Sequence, residues 1–221
     1  KKNYKRIILI TTEALSNKFS NMVNPNIPPA ASAVIDNLKK TYPNVSLKPT
    51  TISTLYGLSV IFSGHANPEL MFENEYPLSF VKILKDNGFK TAFIRGANEH
   101  YMNEDVLFKQ AGFSEVYGAD YFGNTPYKDK IAWWGLMDRS LFDFTINYLK
   151  ENRDNKVFID ILNVDTHVPS GRTDYLGQTY PPLNLEGIDP KIAAAYDRPN
   201  MARAFRNYDY ELGLFIENLQ K

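Results

Sequence analysis

The chain has 221 residues, 43% hydrophobic and 23% charged, enough apolar material for a sizeable core in one large domain or one and a half small ones. Lys plus Arg and Asp plus Glu both number 25, and a formal charge of zero gives no footprint for nucleic acid or an acidic membrane surface as partner. Cysteine is absent, which excludes a disulfide framework, a thiolate metal site and a cysteine nucleophile.

The opening KKNYKR leads straight into RIILITT, residues 6–12, a continuous aliphatic run that predicts a central strand of a parallel sheet. No signal-peptide pattern precedes it, and no apolar run nears the roughly 18 residues of a membrane span. The chain therefore reads as cytoplasmic, or as a domain separated from its targeting segments. A stretch with Pro25, Pro28 and Pro29 follows, then a helix over 30–42 and a short strand, VSL, at 45–47. In KPTTISTLYG a helix is predicted from Thr51 to about Ser63, with Thr50 as cap, Ile52, Leu55, Ser59 and Phe62 on one stripe, and Gly64 as its stop.

Further along, 78–88 reads as an amphipathic helix, 90–96 as a strand, 103–113 as a helix and SEVYG as a short strand. Residues 138–153 predict a helix with Leu141, Thr145, Tyr148 and Leu149 inward, and KVFIDILNV, 156–164, a second strong strand. Residues 168–199 hold five prolines and read as loop; the final segment carries Phe205, Tyr208, Leu212, Phe215, Ile216 and Leu219 at helical spacing. Strands alternating with helices predict a three-layer α/β/α fold with a mostly parallel central sheet.

In such sheets ligands bind at the carboxyl ends of the strands. Glu13 follows the first strand; Asn98, Glu99 and His100 follow KTAFIRG; Asp165, Thr166 and His167 follow KVFIDILNV. A carboxylate there suits a cation. A threonine hydroxyl at a helix start sits among free N–H groups that favour phosphate or sulfate. A metal touching that hydroxyl would make it a nucleophile, and a nearby histidine can contact the ester or carry a proton. Each residue also has a plain structural role: threonine as N-cap, glutamate as solvated turn residue, His167 and His65 as satisfied structural histidines.

Taken in order, ILITTEALS, PTTISTLYG, FIRGANEHYMNEDVLFKQAGFSEVYGADYF, WWGLMDRSLF and LNVDTHVP resemble the catalytic domain of phosphoglycerol transferases, which include lipoteichoic acid synthase, within the alkaline phosphatase–sulfatase superfamily. The resemblance spans about residues 6 to 219. It implies an alkaline phosphatase-like fold, a membrane-anchored parent protein with a periplasmic or extracellular catalytic domain, and a phospholipid or glycan head-group substrate. It implies Glu13 as a ligand of a divalent metal (Mn²⁺, Mg²⁺ or Zn²⁺), and Thr51 as both metal ligand and nucleophile, becoming a phosphothreonine. It gives His167 a contact to the transferred phosphate and the GANEHYMNED loop, with Asn98 and His100, the glycerol-phosphate part. Arg95, Met102 and Glu104 depart from the histidine, tryptophan and arginine of lipoteichoic acid synthases, though Arg95 suits pairing with a phosphate. The family's Asp-His metal motif has no counterpart here, so residues 1–221 are expected to be a partial catalytic domain, inactive alone, with an exposed sheet edge prone to self-association. Phosphoethanolamine transfer is the neighbouring activity. A sulfatase-type hydrolase is disfavoured, since the formylglycine motif ending Pro-Ser-Arg is missing. A degenerate homologue that only binds a ligand or partner is the non-enzyme alternative.

Overall fold

Strand β6 (Lys156–Leu162) is the axis of the fold. It lies between β1 (Arg6–Thr11) and β2 (Phe89–Arg95), and β3 (Glu115–Tyr117) continues the sheet in the order β1-β6-β2-β3, with every neighbour parallel. The computed structural model describes residues 4–45, 53–67, 79–132, 134–169, 171–173 and 179–221. Among these, β1 is an edge strand, and Ile7 to Thr11 are half-buried.

Six of the seven residues of β6 are buried, which is why the segment is aliphatic throughout rather than alternating. Its pleat feeds two cores. Val157, Ile159 and Ile161 pack with Leu141, Phe142, Tyr148 and Leu149 of α6 (Asp138–Glu151) and Tyr208, Leu212 and Phe215 of α8 (Met201–Leu219). Phe158 and Leu162 face the other way. They meet Leu55, Leu58 and Phe62 of α2 (Thr54–Ser63), Val81 of α3 (Phe80–Asp86), and Leu107 and Phe108 of α4 (Glu104–Ala111). Helices on both faces of a parallel sheet give the expected three-layer architecture. No described helix is long and apolar enough to cross a membrane.

Most predicted elements occur close to their expected bounds. Helix α2 begins at Thr54, with Ser53 as its extended N-cap, and stops at Gly64, whose φ of 78° suits glycine. Thr50, Thr51 and most of the expected VSL strand lie outside the described residues. Helix α1 (Ala33–Thr41) is capped from afar: the Asp209 carboxylate of α8 accepts from Val34 N at 3.0 Å and Ile35 N at 2.8 Å. The 168–199 stretch is a correction, because it contains α7 (Pro190–Tyr196). Pro190 sits where an N–H is dispensable, Asp189 accepts from Lys191 N at 2.7 Å, and three alanines propagate the turn. The short helix α5 (Ala119–Phe122) and the antiparallel pair β4 (Ile131–Ala132) and β5 (Gly135–Leu136) had no periodic signal to reveal them.

One polar side chain interrupts the apolar face toward α2. Asp160 is buried, accepts from Thr11 Oγ1 at 3.0 Å, and leaves Oδ2 without a hydrogen bond among the described residues. Burial pushes its carboxyl up to about 7, with the Thr11 bond pulling the other way. The folded state therefore holds a proton that the unfolded chain releases near pH 4, and stability falls as pH rises toward 7. Urea midpoints are expected to drop between about pH 5 and about pH 7, and Asp160→Asn to flatten that slope. An unchanged slope in the variant would remove Asp160 as its source.

Candidate functional site

Thr11 of β1 and Arg95 of β2 both stand opposite Leu162 of β6, so three parallel strands end at one level. The segments beyond them converge on a cavity of about 320 Å³. β1 delivers Glu13; β2 delivers Arg95 and Asn98; β6 delivers Asn163 and His167; the start of α2 delivers Thr54.

Asn163 ties these segments together. Its Oδ1 accepts from Glu13 N at 2.7 Å, and its Nδ2 donates to Asp138 Oδ2 and Thr166 Oγ1, both at 2.9 Å. Thr166 Oγ1 in turn donates to the Glu13 carbonyl at 2.6 Å. With its backbone held from both sides, Glu13 turns its carboxylate to Thr54, whose Oγ1 lies 3.0 and 2.9 Å from the two oxygens. The hydroxyl at the start of α2 thus meets the carboxylate after β1.

Asp138, first residue of α6, braces the β6 side. Its Oδ1 accepts from Val164 N at 3.1 Å and Asp165 N at 3.2 Å, while Asp138 N donates to Asp165 Oδ2 at 2.9 Å. Arg172 forms an ion pair with Asp165 and donates to the Gly135 carbonyl at 2.8 Å. Burial and the adjacent Asp165 charge raise the Asp138 carboxyl well above the usual carboxylate range. Gly135 has φ of 132°, and a Cβ there would collide with the Gly96 carbonyl, so the β4–β5 hairpin lies directly on the turn after β2. Leu136 N donates to Gly96 O at 2.8 Å across this contact.

The structure separates the expected substrate residues. Glu13, Arg95, Asn98 and His167 line one cavity. Arg95 is buried and forms an ion pair with Glu104 at the start of α4. Burial lowers its guanidinium to about 10, against the pull of Glu13 and Glu99. Asn98 donates to Asp120 Oδ1 at 2.9 Å and accepts from His100 N at 2.7 Å. His100 is not among the lining residues: its Nδ1 is 3.2 Å from Asp105 and its Nε2 3.9 Å from Asp120. His167 lines the cavity with its ring centroid 4.3 Å from that of Trp134 and its Nδ1 2.6 Å from the Val168 carbonyl. Thr51 lies outside the described residues. Glu99, another strand-end candidate, accepts from Asp120 N at 3.0 Å and Tyr121 N at 2.9 Å and so caps α5.

Sequence reasoning missed Thr54, Asn163, Asp138 and Trp134, and named Glu104 only as a departure from the family's arginine. The first two carried a signal: Thr54 lies three positions beyond Thr51, and Asn163 precedes Asp165 by two positions. Among the described residues no group of three or more His, Cys, Asp or Glu is placed to hold an ion, and Glu13 is the single anionic ligand facing Thr54.

A family model described as Sulfatase matches residues 6–221. The chain belongs to the sulfatase family. This sulfatase-family chain is 27% identical over 168 residues to phosphoglycerol transferase I of Escherichia fergusonii, a match covering 69% of the chain and 22% of that protein. It thus spans about a fifth of the length of the curated relatives it matches. Two solved structures share its fold. An alkaline phosphatase superfamily protein from Vibrio parahaemolyticus superposes with a TM-score of 0.76 at 17% identity, over 100% of this chain and 51% of that one. The lipoteichoic acid synthase LtaP from Listeria monocytogenes gives 0.73 at 18% identity, over 97% and 52%.

The bracing role of Asp138 sets an expectation. Asp138→Ala strands the Asn163 amide and two backbone N–H groups, at about 1–3 kcal/mol for each buried group left unsatisfied. Urea unfolding should show a loss of at least about 3 kcal/mol. A change of only a few tenths would mean that water or relaxation replaces the network.

Proposed function

We propose that this sulfatase-family chain carries the nucleophile side of a phosphoglycerol-type transferase. The observation that carries the reading is the meeting of Glu13 and Thr54 at the ends of β1 and α2, on a cavity that also takes Arg95, Asn98 and His167. The 27% identity to phosphoglycerol transferase I supports the head-group class. Thr51, three positions before Thr54 in the sequence, is the proposed nucleophile. Its hydroxyl attacks the phosphorus of a phosphoglycerol diester, the lipid alkoxide leaves with a proton, and the head group stays on Thr51 as a phosphothreonine ester. An acceptor hydroxyl, or water, then attacks the same phosphorus, and the Thr51 oxygen leaves and regains its proton.

In this reading His167 touches the phosphoryl oxygens or carries the proton. Arg95 contributes positive charge from the cavity wall, tempered by Glu104. Asn98 orients the glycerol part, and His100 acts from outside the cavity on the loop geometry. Glu13 and Thr51 are the residues of this chain that would hold a divalent ion (Mn²⁺, Mg²⁺ or Zn²⁺), which would supply activation of the attacking hydroxyl. A lipid donor implies a membrane-anchored whole protein, with this domain periplasmic or extracellular.

The test is release of glycerol phosphate from phosphatidylglycerol by single variants. Thr51→Ala is expected to lower turnover by at least about a thousandfold, the scale of losing a nucleophile that acts within a set. Thr54→Ala should cost less, about tenfold, by freeing the Glu13 carboxylate. The reverse ranking would make Thr54 the nucleophile.

The aliphatic edge at β1 supports a second element of the reading, pairing of two copies through that strand. Light scattering is expected to show mass rising with concentration, and Leu9→Lys to suppress it. A strict monomer at high concentration would contradict this.

A further inference from the structure

Trp134 and His167 meet on the wall of the Glu13 cavity, and the backbone under each is held by its own set of contacts. Trp134 immediately precedes β5. That strand is pinned three ways. Gly135 has φ of 132° and no room for a Cβ beside the Gly96 carbonyl, Leu136 N donates to that carbonyl at 2.8 Å, and Arg172 Nη1 donates to the Gly135 carbonyl at 2.8 Å. The indole therefore enters the cavity from a backbone with little freedom.

His167 is held from the other side. Its N–H donates to the Val164 carbonyl at 3.0 Å, and its carbonyl accepts from Gly171 N at 2.9 Å. Arg172 joins the two segments: the guanidinium that reaches Gly135 also forms an ion pair with Asp165, two residues before His167. On this frame the Trp134 and His167 ring centroids are 4.3 Å apart with 34° between the planes, close to an offset stack.

Hydrogen bonding then fixes the tautomer. His167 Nδ1 lies 2.6 Å from the Val168 carbonyl, which can only accept. Nδ1 therefore carries the hydrogen, and in the neutral ring the lone pair is on Nε2. Bond and stack act on different freedoms: the bond sets which nitrogen accepts, and the indole face limits the swing of the ring. Such locking matters because a misplacement of about 1 Å can cost on the order of a hundredfold in rate.

We propose that Trp134 is the positioning residue of His167: its indole, with the Val168 carbonyl, holds the imidazole as the Nδ1–H tautomer with Nε2 as the proton-accepting nitrogen. Trp134 acts through His167 and needs no contact with substrate. The task given to His167 rests on the transferase reading; the placement of its ring does not.

Imidazole NMR of the whole chain at about pH 9, above the ordinary histidine range, reads the placement directly. The chain has 3 histidines, so His167→Gln assigns the ring. Expected are a protonated Nδ1, an unprotonated Nε2, and ring protons moved upfield by the indole face. Trp134→Leu should abolish the upfield shift and Trp134→Phe reduce it; the phenylalanine variant carries the test if the leucine one fails to fold. In parallel, kcat for glycerol phosphate release should fall at least about tenfold in Trp134→Leu with KM within about twofold, and recover to within about threefold of wild type in Trp134→Phe. An upfield shift undiminished in both variants, an Nε2–H tautomer, or an unchanged kcat in Trp134→Leu would each overturn the proposal. A wild-type chain inactive on phosphatidylglycerol would overturn the transferase reading alone, because the imidazole spectrum still decides the placement.

Discussion

The site depends on one side chain, Asn163. It is the first residue after β6, and its amide bonds reach back to the turn after β1 and across to the start of α6. Parallel strands are joined by long crossovers, so nothing local fixes where one strand's exit loop sits relative to its neighbour's. Asn163 supplies that fixity. Through it the Glu13 backbone is set against β6, and the Glu13 carboxylate is left to meet Thr54. Asp138 braces the same amide from below, and the Asp165–Arg172 ion pair holds the next turn. The cavity is therefore positioned by a network of buried, mutually satisfied polar groups, which rigidifies only when every member is present.

Buried charge is the recurring cost of this arrangement. Asp138, Asp160 and Asp209 are all held above the ordinary carboxylate range, and in each case burial is the first cause. Each serves a geometric end: Asp138 braces Asn163, Asp160 accepts from the last residue of β1, and Asp209 caps α1 from a helix far along the chain. The loop after β2 stores a different strain. Met102 and Asn103 both have φ near the left-handed region, at 55° and 57°, immediately before α4 presents Glu104 to Arg95. Asp138 and the Met102–Asn103 turn thus lie beside the strand ends, whereas Asp160 stands inside β6 and Asp209 inside α8.

The fold was legible where burial dictated residue type. KVFIDIL could be read as sheet interior because both faces of β6 are covered, and α6 because Leu141, Thr145, Tyr148 and Leu149 recur at its period; RIILIT, read as a central strand on the same aliphatic pattern, is instead half-buried at the edge of the sheet of described residues. Helix α7 was masked by its prolines, although Pro190 after Asp189 is itself a helix start. The site was legible only as a set of strand ends. Glu13, Arg95, Asn98 and His167 share a cavity because their strands are in register, whereas His100 is drawn aside by Asp105 and Asp120. Thr54 faces Glu13 because α2 starts at Thr54, and the carboxylate it meets lies 41 residues away in the sequence. No local pattern records such a contact.

The central claim is that Thr51 carries the head group between donor and acceptor. Acid quenching of the protein during incubation with phosphatidylglycerol, followed by peptide mass spectrometry, tests it most directly. The account predicts a glycerophosphoryl adduct on Thr51 that disappears when acceptor is added. An adduct on Thr54, or head-group release with no covalent species at any time point, would contradict it.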